Sequence, residues 1–414
     1  LDTLPSPSTA PLLVDSGRVT RYSAWRTFMP RYWLPTVNQG IDGGYRIGVM
    51  TSGFDVIGRH VVTAQLGVPT NNTGLTGNLS YQYSGFGLPI IQVDASQDWQ
   101  SLGGIFTRDA QQQLIGEVRR RTLGADVLAT WIHQRVRHAL TLTAGVGIEH
   151  RTDISVPDGL LPLVDSGAVF GAPTFPSLIA AAGYANYLRP PFSISPEDGV
   201  QLNTTVRDRL ASGPAGKGPQ SVSVVGTAAL YKALALPGYA HHVIALRGAG
   251  GWADDNASGY FSVGGISGST FEIIPGYTIG EDRKTFGVRG FAPGTLIGTR
   301  AFAGSAEYRL PLFLTGRSPG ALPFFLDRSS VTVFADYGTA WCATAVVGRE
   351  VCNRAAQTER VEIASAGAEL NLNLGVLSWD SPYRFRLGVA VPTQNGERFG
   401  ERSVQVYVTA GVSF

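Results

Sequence analysis

Hydrophobic and polar residues alternate along much of this chain. From Ser403 to Phe414, Val404, Val406, Val408, Ala410, Val412 and Phe414 take one set of alternate positions, and Ser403, Gln405, Tyr407, Thr409, Gly411 and Ser413 take the other. Successive side chains of a strand point to opposite faces, so the segment is predicted as a strand with one oily and one polar face. The same pattern sets Leu140, Leu142, Ala144, Val146 and Ile148 against Thr141, Thr143, Gly145, Gly147 and Glu149, and Leu370, Leu372 and Leu374 against Glu369, Asn371 and Asn373. It recurs where Tyr383, Phe385, Leu387, Val389 and Val391 oppose Arg384, Arg386, Gly388 and Ala390. Two arginines on one face of an otherwise oily strand fit poorly against a soluble core and well in a water-filled lumen.

Repeating this reading along the chain predicts strands at 28–36, 43–53, 58–68, 75–85, 89–99, 117–132, 137–150, 177–188, 198–210, 220–234, 239–252, 300–314, 329–341, 360–375, 382–391 and 403–414. The connectors alternate in length. Short turns (53–58, 85–89, 133–137, 236–239, 376–382) fall between longer Gly-, Pro- and Asp-rich loops (151–175, 211–220, 252–299, 342–360, 392–402). Outer-membrane barrels place short turns on the periplasmic side and long loops outside. The fold expected is therefore all-β: a 16-stranded antiparallel transmembrane β-barrel, ending on the aromatic Phe414. Residues 1–27 read as a linker or pre-barrel segment and 28–414 as the outer-membrane barrel. The aromatic group Tyr22, Trp25, Phe28, Tyr32 and Trp33 suits either the membrane interface or core packing. Because it opens on Leu1, the chain reads as a mature or excised segment.

Composition agrees. Hydrophobic residues make up 43% of the chain, yet mean hydropathy is only +0.05, so polar and apolar residues are finely mixed. No apolar run approaches the length of a spanning helix. Only 15% of residues are charged and the net charge is +2, so nothing points to a nucleic-acid partner. The two cysteines, Cys342 and Cys352, share one loop segment and suggest a disulfide made in an oxidising compartment, two unpaired thiols being the alternative.

No catalytic constellation emerges. Gly265-Ile266-Ser267-Gly268-Ser269 misses the nucleophile-elbow spacing by one place, and the adjacent His241 and His242 face opposite sides of a strand. Acidic pairs such as Asp254-Asp255 and Glu281-Asp282 read as solvated loop charge. No cofactor, metal site or enzyme activity is expected.

The connector from Trp252 to Thr299 is too long and too apolar for a plain surface loop, carrying Phe261, Val263, Ile266, Phe271, Ile273, Ile274, Tyr277, Phe286 and Phe291. It is predicted to fold back into the barrel. Within it stands Val288-Arg289-Gly290-Phe291; Glu307 lies on the next strand, and Phe334-Ala335-Asp336-Tyr337-Gly338 on the one after. Together these residues resemble the BamA/TamA/FhaC-type outer-membrane barrels, the bacterial surface antigen superfamily, most clearly over the C-terminal third. The resemblance implies that Arg289, in a V-R-G-[FY] loop motif, plugs the lumen and pairs with Asp336 of an F-x-D-x-G strand motif and with Glu307. Strand parity agrees, since Phe302, Ala306 and Tyr308 facing out turn Glu307 in, and Val331, Val333 and Ala335 facing out turn Asp336 in.

The resemblance further implies a multi-pass bacterial outer-membrane protein that inserts or translocates polypeptides or lipids, with membrane lipids, client chains and accessory periplasmic proteins as partners. Members usually carry small periplasmic modules before the barrel, and none is visible between Leu1 and residue 28. The alternatives are a passive outer-membrane pore and the membrane anchor of a larger protein with an upstream periplasmic or enzymatic domain.

Overall fold

The computed structural model describes residues 22–24, 27–30, 32–39, 45–70, 74–106, 114–156, 174–210, 220–254, 261–266, 271–274, 277–279, 285–318, 320, 324–342, 360–376, 383–400 and 403–412. In chain order the strands are β1 (Leu34–Gln39), β2 (Tyr45–Phe54), β3 (His60–Pro69), β4 (Thr76–Tyr83), β5 (Ile90–Phe106), β6 (Leu114–Gln134), β7 (Ala139–Val156), β8 (Thr174–Ala185), β9 (Gly199–Arg209), β10 (Ser221–Leu234) and β11 (His242–Ala253). Five short strands follow: β12 (Phe261–Val263), β13 (Phe271–Ile274), β14 (Tyr277–Ile279), β15 (Thr285–Phe286) and β16 (Leu296–Gly298). The chain then resumes with β17 (Arg300–Arg317), β18 (Phe324–Trp341), β19 (Val361–Val376), β20 (Tyr383–Gln394) and β21 (Gln405–Val412).

Strands β1–β11 and β17–β21 form one closed antiparallel barrel in sequence order, sixteen strands in all. Closure is what lipid demands, because it pairs the backbone polar groups that an open sheet edge would leave bare. The outer face is oily, with Ile47 59% and Val406 63% exposed, and Val93, Leu142, Val146, Leu246 and Val389 exposed beside them. The inner face carries Gln82, Gln92, Thr130, Thr143, Glu149, Arg207, Thr332 and Asn371, all buried. Oil outside and polar groups inside make this a multi-pass outer-membrane barrel. Among the described residues no helix is long and apolar enough to cross a membrane, and the strands do the crossing.

The predicted strands correspond one to one with the barrel strands, several of which run longer than predicted (β5 to Phe106, β7 to Val156, β18 from Phe324), and two further differences change the picture. The first strand begins at Leu34 rather than 28. The residues before it run along the outer wall, where Phe28 packs beside the rings of His60 and Tyr81, Thr51 donates a hydrogen bond to the Tyr32 carbonyl, and Tyr22 donates one to Asp55. Tyr81 shares its face with the exposed Leu79, which places this aromatic group outside the barrel, near the β2–β3 turn. The second difference concerns the β8–β9 connector. It runs over 186–198, longer than predicted, and Ile194, Ser195 and Glu197 within it are buried.

Closure is weakest between the first and last strands. Among the described residues one ladder pair, Val37 with Ala410, joins β1 to β21, whereas β1 pairs with β2 along its whole length. Side chains supplement the seam. The Tyr383 hydroxyl donates to the Pro35 carbonyl at 2.6 Å, and Leu34, Met50, Tyr383 and Ala410 form one buried cluster. Ala410, predicted on the oily outer face, is buried because it sits in that cluster.

Candidate functional site

Between β11 and β17, residues 261–263 and 286–296 pack against the inner wall. β12 lies between β15 and β16 in a small sheet. Its Phe261 and Val263, with Phe286, Val288, Phe291 and Leu296, form a buried cluster with the wall residues Ala301, Ala303, Ala340, Val361 and Ile363. Ala301 and Ala303 alternate with the outward-facing Phe302, so their small side chains leave room for the insert on the inner side. The side chains of residues 271–279, also predicted to fold inward, lie outside the described residues.

The Val288-Arg289-Gly290-Phe291 motif is a tight turn. The Phe291 N–H donates to the Val288 carbonyl at 3.4 Å, and the Gly265 N–H donates to the Phe291 carbonyl at 2.8 Å. Gly290 has φ +91°, where a type II turn calls for glycine. A Cβ there would also stand 3.1 Å from the Cβ of Ala390. Buried Val288 and Phe291 anchor the turn, and Arg289 projects from between them.

Arg289 is 2% exposed and engages two strands at once. Toward Asp336 on β18, its backbone N–H donates at 3.0 Å, Nε at 2.7 Å and Nη2 at 2.7 Å. Toward β17, Nη2 donates to Glu307 Oε1 at 2.9 Å and to Ser305 Oγ at 2.8 Å. The guanidinium lies 3.5 Å from the ring centroid of Phe334, a stacked cation–π contact. Gly338 has a steric role, since a Cβ there would meet Val263 at 2.5 Å and Val288 at 2.6 Å. The glycine of F-x-D-x-G is thus the notch into which the insert fits.

The structure therefore brings together Val288, Arg289, Gly290, Phe291, Glu307, Phe334, Asp336 and Gly338. The constellation extends further than the sequence reading took it. Glu307 also accepts from Arg309 at 2.6 and 2.9 Å and from Arg247 on β11. On β19, Glu369 lies 4.0 Å from Arg289 Nη1, accepts from Arg386 at 2.7 and 2.9 Å, and accepts from the Tyr407 hydroxyl on β21 at 2.9 Å. Four arginines (247, 289, 309, 386) thus share three carboxylates (307, 336, 369), a net charge of +1 over these seven groups. Parity had turned Glu369, Arg386 and Tyr407 inward; what it lacked was the register aligning Arg309, Thr332, Glu369, Gly388 and Tyr407 across five strands. Cys342 is buried at the end of β18, while Cys352 and Phe414 lie outside the described residues.

This arrangement can hold an insert against a wall. Among the described residues no His, Cys, Asp and Glu side chains converge as a metal site.

Solved structures with the same architecture include CdiB from Escherichia coli, at TM-score 0.60 and 11% identity over 93% of this chain. BamA from Haemophilus ducreyi lacking POTRA domains 1-3 follows at TM-score 0.55 and 16% identity over 92% of the chain. The fold is that of the BamA and CdiB barrels. CdiB from Acinetobacter baumannii is similar at TM-score 0.51 and 11% identity. The chain spans 64% of the E. coli CdiB chain, 70% of the BamA chain and 59% of the A. baumannii CdiB chain. No protein-family model and no curated protein matches the sequence.

Proposed function

We propose that this barrel inserts or translocates polypeptides at the outer membrane, using the β1–β21 seam as the entry edge. The observation that carries the reading is that, among the described residues, one ladder pair joins the seam while the neighbouring strand pairs are fully laddered. Such an edge exposes unpaired backbone donors and acceptors when it parts, and an incoming strand can add to it by β-augmentation. The fold shared with BamA and CdiB supports the same class of work.

In this reading Arg289, Glu307 and Asp336 are a structural clamp, and the insert they hold is a plug. Removing one partner of such a buried pair strands the other charge, which typically costs about 3–5 kcal/mol. The hydrogen bond from Tyr407 to Glu369 ties the same cluster to the last strand, so insert and seam share a network. A lumen lined by the insert disfavours a passive pore. Client chains, membrane lipids and accessory periplasmic proteins are the partners this reading requires. A Cys342–Cys352 disulfide belongs to the same proposal, and a mass gain on reduction tests it.

A photoreactive residue at Val37 in the intact protein, illuminated in growing cells, tests the function. Covalent capture of unfolded outer-membrane or secreted polypeptides is the expected result. Adducts with lipid alone would overturn it.

A further inference from the structure

The β8–β9 connector is anchored inside the barrel mouth, on the end opposite the long loops. Its first turn brings Tyr187 against Tyr231, with ring centroids 5.9 Å apart, over an apolar patch of Tyr231, Val243 and Ala245. That patch faces inward, because Leu230, Ile244 and Leu246 between its members are exposed on the outer wall. A bare apolar patch on the inner wall of a water-filled barrel would be unfavourable, and here the connector covers it.

The far end of the connector is held by β18. Arg328 Nη1 donates to the Pro191 carbonyl at 3.0 Å and to the Ser193 carbonyl at 2.8 Å. Arg328 is laddered to Asn373, which shares its face with Glu369 and Asn371, so it points into the lumen. Four interstrand gaps, roughly 19 Å of wall at about 4.8 Å each, separate β9 from β18. From β9 to β18 the connector therefore spans about a quarter of the sixteen-stranded wall, on its inner side. Its return is pinned by the Leu188–Glu197 bridge, by Glu197 with His241 at 2.9 Å, and by Asp198 with Lys232 at 2.7 Å.

We infer that the β8–β9 connector is a second closure of the lumen, on the periplasmic side, latched by the grip of Arg328 on the Pro191 and Ser193 carbonyls. The barrel is then closed twice in series, by the Arg289 insert from outside and by this connector from beneath. Passage through the lumen needs both to move. The inference takes the Arg289 insert as the plug proposed above, and it stands whether or not polypeptides enter at the seam.

The test uses the full chain in detergent and in planar bilayers, with heat-modifiable gel migration reporting folding. Ser195→Cys places a thiol at a buried connector position, and its rate of labelling by a bulky maleimide is read against the same protein without that substitution. Arg328→Ala, or Arg328→Gln if the alanine variant fails to fold, is expected to raise the rate about tenfold or more, as loss of a charge-assisted hydrogen bond implies. An unchanged rate in a folded variant would overturn the latch. In bilayers, Arg289→Ala combined with Arg328→Gln is expected to conduct more than Arg289→Ala alone. A double variant that conducts no more than Arg289→Ala would overturn the closure even if labelling rises. Failure of client capture at the seam would leave both readouts untouched, so the two proposals fail separately.

Discussion

The Asp336→Asn substitution probes the insert most sharply. Asparagine keeps the shape of the side chain but removes the charge that Arg289 meets through its backbone N–H, Nε and Nη2. The guanidinium stays protonated, since arginine does not give up its proton in proteins. It keeps Glu307 at 2.9 Å and Ser305 at 2.8 Å, but Glu307 is already shared with Arg247 and Arg309. The seven-group cluster, at +1 with Asp336 ionised, becomes +2. Loss of one member of a buried pair typically costs about 3–5 kcal/mol, and the surviving Glu307 contact puts the expectation at the lower end, near 3 kcal/mol. At about 1.4 kcal/mol per decade, docking of the insert weakens roughly a hundredfold. Limited proteolysis within 254–299 on the folded barrel reads that population, and urea unfolding in detergent reads the stability. A double-mutant cycle with Arg289→Ala isolates the pair and should give a coupling of about 2–3 kcal/mol. Wild-type protease resistance in a folded Asp336→Asn protein, or additive single effects, would refute the reasoning.

Two further predictions follow from distances in the same region. Gly338→Val should force the insert off the wall by crowding Val263 and Val288, costing about 1–3 kcal/mol, with more cleavage in 254–299 while the barrel still migrates as folded. Tyr383→Phe removes the hydroxyl bond to the Pro35 carbonyl, and at about 0.5–1.5 kcal/mol it should raise amide exchange in β1 and β21 roughly two- to tenfold while β6 and β7 are unchanged.

Much of the architecture is legible in the sequence, because lipid outside and water inside impose a period of two on each strand. Parity alone turned Glu307, Asp336 and Glu369 inward, and it is the same alternation that the register displays. The start of β1 was misread because Phe28 and Tyr32 have the aromatic content of a strand, although their contacts are on the outer wall beside His60, Tyr81 and Thr51. The β8–β9 connector was not anticipated for a different reason. Pro190, Pro191 and Pro196 mark it as irregular, and its anchors are backbone carbonyls held by an arginine more than a hundred residues away. No local pattern encodes such a contact. The partnership of Arg289 with its acids was suggested by motif, whereas the involvement of Arg247, Arg386 and Tyr407 depends on register, which alternation leaves undetermined.

The central claim is that polypeptides enter at the β1–β21 seam, and locking that seam tests it directly. Val37 and Ala410 are ladder partners, so cysteines at both positions are placed to form a disulfide across it. In the native bacterium, the locked barrel should lose outer-membrane or secreted polypeptides that reappear on reduction, with each single-cysteine control unaffected. Undiminished outer-membrane and secreted proteomes with the disulfide demonstrably formed would contradict the account.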